Sequence, residues 1–273
     1  VINKSKYLRT FFKIVYNNIK HFSYLIITYF LRYFSSFFNK KQTPTLNNKP
    51  IVLVETIVYR NSFNNGKFTD RHFPEILNYL NKNITSSVLF LPYYYKIYNI
   101  ISLFKNLNNA KQNFLIPEDF LCFNDYFKSI FYFLKSFKSF KDIRFQNIDV
   151  TDLVIYSYYN NLINGGPAEG HLRKKLFYRL KKKKIEISRY ILWFENQPIN
   201  KGVIMGLNKY YPKTKTIGYV GFFNSHNALG LYPTVQEFKF KLLPNEIAVM
   251  GKKYIEDIKV FCPKQKVILL PAF

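Results

Sequence analysis

The chain has little cysteine, little acid and no long apolar run. Its two cysteines among 273 residues, Cys122 and Cys262, cannot staple a disulfide scaffold, and no CxxC or Cys/His cluster points to zinc. A reducing compartment, most simply the cytoplasm, is therefore expected. The longest charge-free apolar stretch runs from Phe22 to Leu31, far short of the ~20 residues that span a bilayer. The opening VINKSKYLRT has neither a compact apolar core nor a small-residue cleavage site, so it is not expected to be a secretory signal. No dinucleotide fingerprint GxGxxG and no phosphate loop GxxxxGK[ST] occurs.

What is present narrows the class further. Hydrophobic residues make up 48% of the chain and aromatics 19%, which excludes a disordered polymer despite a net charge of +25. Forty-one Lys and Arg stand against 16 Asp and Glu, so the surface seeks anions: nucleic acid, anionic lipid headgroups or phosphate-bearing substrates. Part of the Lys, Asn, Ile, Phe and Tyr bias is what an AT-rich genome would encode.

Periodicity sets out the elements. Leu8, Phe11, Phe12, Val15, Tyr16, Ile19 and Phe22 follow helical spacing within residues 7–38, with Arg9, Lys13, Asn17 and Lys20 opposite. That pattern suits a basic amphipathic helix lying in a headgroup layer, or one packed on the protein's own core. Residues 39–50 read as a linker with Pro44 and Pro50. The run Ile51–Val58 predicts a buried parallel strand. A helix carrying Phe73, Ile76, Leu77 and Leu80 follows, then a second strand at Ser87–Leu91. Residues 125–141 predict an amphipathic helix with Phe127, Ile130, Phe131, Leu134 and Phe137 on its apolar face. Val150–Ser157 reads as a strand, and a basic helix runs from Glu169 to Lys184. The run Arg173, Lys174, Lys175 to Lys181–Lys184 reads as a solvated helix face, or as one facing anionic lipid or a diphosphate. Strands at Tyr190–Phe194, Lys215–Val220, Glu246–Met250 and Lys266–Leu270 alternate with helices, the first of these capped by Asn196 with Pro198 in its first turn. Such alternation predicts an α/β fold: a Rossmann-like parallel sheet with helices on both faces, preceded by the N-terminal helical segment.

Ligands of open parallel sheets sit at the carboxyl ends of the strands. That rule selects Glu55, Tyr59, Arg60 and Asn61 after the first strand, then Glu195, Asn196 and Gln197 after the 190s strand. Asn224, Ser225 and His226 follow the 215–220 strand. Glu195, after apolar Ile191–Phe194, is a candidate general base or a group that binds substrate hydroxyls; its structural alternative is to cap the next helix or pair with Lys201. His226 is a candidate base or phosphate donor, or a solvated loop histidine.

Several segments resemble the bacterial surface carbohydrate biosynthesis proteins, GT-B-like glycosyltransferases of O-antigen and capsule clusters. The residues that carry the likeness are Trp193-Phe194-Glu195-Asn196-Gln197, Lys201-Gly202 and Tyr211–Tyr219. Downstream are Tyr232-Pro233-Thr234 with Glu237, Leu243-Pro244 and Ile247–Gly251; upstream is Gly66–Phe73 with Asp70 and Arg71. The likeness covers residues 50–273. Where that family often has Gln-His after Gly-Tyr, this chain has Val220-Gly221, and Asn200 rather than an acid precedes Lys201. The resemblance implies transfer of a sugar from a nucleotide-sugar donor to a lipid-linked glycan acceptor, at the cytoplasmic side of an inner membrane, without a bound cofactor or metal. Taken with the strand-end rule, it makes Glu195 and His226 the candidate catalytic residues, with Arg60, Asn61, Asp70, Arg71, Asn196, Gln197, Ser225 and Glu237 as candidate substrate-binding residues. Residues 1–45 are then an amphipathic segment and linker, 46–262 the acceptor-side domain, and 263–273 the start of a truncated second Rossmann-like domain. The abrupt stop at Phe273 after a strand-like KVILLPAF suggests a fragment, inactive alone. An anionic membrane surface is the expected further partner. A two-domain nucleotide-sugar epimerase or hydrolase, and a non-enzymatic basic module binding membrane or nucleic acid, are the alternatives. The chain carries no recognised nucleic-acid motif.

Overall fold

The computed structural model describes residues 4–38, 50–64, 66–74, 76, 79–80, 86–95, 97, 99–135, 138, 140–162, 166–222 and 229–270. In chain order the strands are β1 (Ile51–Val58), β2 (Phe63–Asn64), β3 (Lys67–Phe68), β4 (Val88–Tyr94), β5 (Arg144–Phe145), β6 (Ile148–Asp149), β7 (Ile187–Trp193), β8 (Lys215–Val220), β9 (Glu246–Val249) and β10 (Lys266–Leu269). The helices are α1 (Lys4–Phe38), α2 (Ile100–Asn109), α3 (Phe123–Leu134), α4 (Thr151–Leu162), α5 (Gly166–Lys182), α6 (Pro198–Tyr210), α7 (Val235–Lys239) and α8 (Lys252–Phe261).

Six strands form one parallel sheet in the order β10-β9-β8-β7-β1-β4. The expected α/β architecture is present: β1 is buried along nearly its whole length because both of its faces are covered. Ile51 and Leu53 pack with Leu172, Leu176 and Phe177 of α5 and with Val203 and Leu207 of α6. Val52 and Val54 point the other way, toward Leu103, Phe104 and Leu107 of α2 and toward Phe73 and Ile76. Chain order reverses direction between β1 and β7, the topological switch point of a doubly wound sheet.

Helix α5 crosses α6 at two glycines. A Cβ on Gly202 would overlap the backbone of Gly170, and one on Gly170 would stand 2.7 Å from the Pro198 carbonyl oxygen. This close approach brings the start of α6 down onto α5, directly beneath the loop that follows β7.

Helix α1 is fixed to the domain by Arg32. Its guanidinium is 2% exposed, donates to both Asp119 carboxylate oxygens at 2.9 and 2.8 Å, and donates to Asn108 Oδ1 at 2.9 Å. Ile14, Asn18, Phe22, Thr28 and Ser35 are buried on the same side. Leu8, Phe11, Phe12, Tyr16 and Ile19, the residues whose spacing marks an apolar face, are exposed instead. Helix α3 behaves likewise: Asp125, Tyr126 and Ser129 turn inward, whereas Phe127, Phe131 and Leu134 are about half exposed.

Several expectations are corrected. Residues 151–162 form helix α4 rather than a strand. Tyr158 and Tyr159 pack with Ile14, Phe22 and Ala168, and the Leu162 carbonyl accepts from Asn18 Nδ2 at 2.8 Å; packing on α1 overrides β-branched propensity. The second strand continues past Pro92 to Tyr94, because β4 is the outer strand of the sheet, where a missing N–H is tolerated. Helix α3 ends at Leu134. Arg173 is buried rather than solvated. Lys266–Leu269, expected to open a second domain, is the outer strand of the same sheet, paired with β9 from Lys266↔Glu246 to Leu269↔Val249. The linker at 39–49, Leu77 and Phe137 lie outside the described residues.

Candidate functional site

The β1–β7 ladder stops at Val54↔Ile191, whereas β1 continues to Val58, still paired with β4 as far as Tyr94. The two central strands therefore part at their carboxyl ends. A cleft of about 390 Å³ opens there, lined by Glu55, Tyr59, His72, Tyr93, Tyr95, Trp193, Glu195, Gln197 and Asn200 among others.

Glu195 leaves the end of β7 and is held from both sides. Trp193 Nε1 donates to its Oε1 at 2.8 Å, and Gln197 Nε2 donates to its Oε2 at 2.5 Å. Buried Asn200, in the first turn of α6, fixes the backbone beneath it. Its Oδ1 accepts from the N–H groups of Glu195 (3.2 Å) and Gln197 (3.1 Å), and its Nδ2 donates to the Trp193 carbonyl at 3.2 Å. Both donors to the carboxylate are neutral, so its charge is oriented but not cancelled.

Glu55 forms the floor. Tyr190 donates its hydroxyl to Glu55 Oε2 at 2.9 Å. Burial pushes the Glu55 carboxyl above the ordinary carboxylate value, against the pull of the buried Arg173 guanidinium and the Tyr190 hydroxyl. Arg173 lies 5.6 Å from the Tyr93 ring centroid and donates to the Pro92 carbonyl at 3.4 Å.

The far wall is aromatic. His72 lies 4.1 Å from the Trp193 ring, centroid to centroid, and its Nε2 is 3.1 Å from the Tyr59 hydroxyl. Burial lowers the His72 pKa below its ordinary value, although the Asp70 and Glu195 carboxylates oppose the shift. Tyr95 packs edge-on against Tyr59 at 5.5 Å. A cleft that offers aromatic faces, two carboxylates and amides, and is anchored on strand ends, can hold a polyhydroxylated ring: apolar C–H faces on the rings, hydroxyls on the polar groups.

The residues singled out in the sequence fall into distinct places. Glu195 and Gln197 line the cleft. Asn196 stands beside it at φ 56° and is not the helix cap; Gln197 occupies that position. Its side chain joins the loop after β7 to the 229–237 segment. Asn196 Nδ2 donates to the Tyr232 carbonyl at 3.2 Å and to Glu237 at 3.3 Å, and Lys201 donates to Asn196 Oδ1. Lys201 also pairs with Glu237 at 2.9 Å. Burial disfavours ionisation of Glu237, but the Lys201 ammonium outweighs it and holds the carboxyl below its ordinary pKa. Glu237 and Asn196 thus brace the site. Asp70 is 4% exposed and accepts from the N–H groups of His72 (2.8 Å) and Phe73 (3.0 Å), which sets the turn that presents His72. Arg71 is exposed over the Tyr59 ring at 5.6 Å. Arg60 and Asn61 are exposed on the turn after β1, with Arg60 lining an adjacent hollow. Ser225 and His226 lie outside the described residues.

The chain matches no family model, no curated protein and no solved structure.

Sequence reasoning missed His72, Tyr93, Tyr95 and Trp193 as site residues. The strand-end rule selects Tyr93 and Tyr95 once β4 is allowed to run through Pro92. His72 has no such signal, since it reaches the cleft through the Asp70 turn. Among the described residues, no group of three His, Cys, Asp or Glu side chains is placed to hold a metal ion.

On the other side of Glu195 lies a second hollow of about 580 Å³, lined by Tyr132, His171, Lys174, Gln197 and Lys201 among others. His171 stacks on Tyr132 with ring centroids 3.7 Å apart. Burial, aided by the nearby Lys175 and Lys174 ammoniums, lowers its pKa from 6.5 to about 4. The folded state therefore holds this imidazole neutral where the unfolded chain protonates it. Stability is lost as pH falls from about 6.5 and the loss levels off below about 4. Between pH 7 and 5 the site should cost about 2 kcal/mol. Urea unfolding of His171→Phe, which keeps the stack, is expected to lose that part of the acid sensitivity; the His72 contribution remains.

Proposed function

We propose that the protein is a glycosyltransferase of surface-polysaccharide synthesis, with a GT-B-like architecture in which this chain supplies the acceptor side. Its substrates are a nucleotide-sugar donor and a lipid-linked glycan acceptor. The observation that carries this reading is the switch-point cleft, where a carboxylate with neutral hydrogen-bond donors faces aromatic walls sized for a sugar ring. The motif likeness around Trp193–Gln197 and Tyr211–Tyr219 supports it. In the reaction, Glu195 orients the acceptor hydroxyl and takes its proton as the oxygen attacks the anomeric carbon. The nucleotide departs with the electrons of the broken bond. Asn200 and Trp193 hold Glu195 in place, and Asp70 presents His72 to the opposite wall.

Trp193 is the single tryptophan of the sequence and lines the cleft, so its emission reports on this site alone. Acceptor glycans are expected to change Trp193 fluorescence saturably. The product of the complete gene should transfer labelled sugar only when donor and acceptor are both present. Donor turnover at equal rate without acceptor would instead indicate a hydrolase or epimerase. Emission indifferent to every glycan would remove the cleft from the argument.

A further inference from the structure

Two neighbouring helices present aromatic stripes to solvent, and the stripes adjoin. On α1, Phe12, Tyr16, Ile19, Ile27, Phe30 and Phe34 recur at helical spacing, each at least 44% exposed. On α3, Phe123, Phe127 and Phe131 recur every fourth residue and are similarly exposed. Phe30 meets Phe123 at 5.9 Å between ring centroids, so the stripes form one surface. Isolated exposed apolar residues are ordinary, but a continuous patch of this kind marks a contact surface.

The inner sides of both helices are already committed. Arg32, Ile14 and Phe22 fasten α1, and Tyr126 and Ser129 lie buried under α3. The stripes lie on the faces opposite those buried sides. At ~1.5 Å per residue α1 is roughly 50 Å long, yet no described helix is long and apolar enough to cross a membrane.

Charge selects the surface. The first acidic residue of the chain is Glu55, so α1 carries none. Exposed Arg9, Lys13 and Lys20 flank its aromatic stripe, and exposed Lys128 and Lys135 flank that of α3. We infer that the outer faces of α1 and α3 together form a docking surface for an anionic lipid bilayer, with the aromatic rings at headgroup depth and the basic flanks on lipid phosphates. This combination of apolar stripe and cationic border is the physical signature of an in-plane helix. The inference concerns a face distinct from the cleft and stands whatever reaction the cleft performs.

The test is co-sedimentation of the full chain with vesicles of phosphatidylcholine alone or mixed with phosphatidylglycerol. Binding is expected to be at least ~10-fold stronger to the anionic vesicles and to weaken as salt is raised. The variant Phe12→Ser/Tyr16→Ser/Phe127→Ser should lose binding to both vesicle types. Lys13→Glu/Lys128→Glu should lose only the anionic preference. All five positions are exposed, so unchanged circular dichroism and Trp193 emission are expected to confirm folding. Equal binding to neutral and anionic vesicles, or unaltered binding in the folded variants, overturns the inference. So does a salt-resistant dimer, formed without lipid and abolished by the aromatic variant, since a second copy would then be the occupant.

Discussion

Replacing Gly202 with alanine is expected to cost the domain upward of about 3 kcal/mol or to prevent folding. Inserting a methyl into a packed contact usually costs about 1–3 kcal/mol because neighbouring side chains give way. Here the added carbon meets the backbone of Gly170, which has no rotamer to yield. Relief requires α5 and α6 to separate, and both helices pack on β1 through Leu176, Phe177, Val203 and Leu207. Gly166 supplies the control at the same end of α5: a Cβ there would lie at an ordinary 3.4 Å from the Pro198 side chain. Gly166→Ala should fall within about 0.5 kcal/mol of wild type. Urea denaturation of both variants compares them directly. A mild Gly202→Ala phenotype would show that the helices do not cross so closely.

The second large effect concerns chemistry. Glu195→Gln is expected to lower sugar transfer by roughly 10²–10⁴-fold, the range over which a positioned general base acts. The amide keeps the size of the carboxylate and its oxygen can still accept from Trp193 Nε1, while Gln197 must turn its own amide to accept from the new NH2; circular dichroism is expected to show unchanged folding. The steady-state constants separate the two roles open to this residue. Loss in kcat with KM preserved identifies the proton acceptor, whereas a raised KM with kcat preserved identifies binding of an acceptor hydroxyl alone. Transfer at the wild-type rate removes Glu195 from the reaction.

The sheet was legible because its central strands carry continuous apolar runs, as Ile51–Val54 and Ile191–Phe194 do. The position of Glu195 was legible too, because the end of a parallel strand is where a polar residue after such a run must emerge. Less visible was everything set by contacts between distant segments. Residues 150–157 have strand-like composition, yet 151–162 form a helix that packs on α1. Arg173 lies in a run of lysines that looks uniformly solvated, yet it is drawn inward beside Glu55 by charge and by the Tyr93 ring. The resemblance makes Asp70 and Glu237 substrate ligands. Their carboxylates also engage the His72 turn and Lys201, partners that sequence spacing does not reveal. The periodicity of α1 and α3 was real, but it could not say which side faced the core. Polar Asn18, Arg32, Asp125 and Ser129 occupy the buried sides because each has a hydrogen-bond partner there, and a buried polar group with such a partner need not be excluded from the core.

The Arg32 anchor bears on biosynthesis. Asn108 and Asp119, which it grips, follow it by 76 and 87 residues. At ~5–20 residues per second, translation leaves the helix untethered for roughly 4–17 s after Arg32 is made. During that interval both its flanks, the side destined for the interior and the aromatic stripe, are open to whatever surrounds the ribosome. Early seating of that stripe on lipid would shorten the interval during which both flanks stand uncovered.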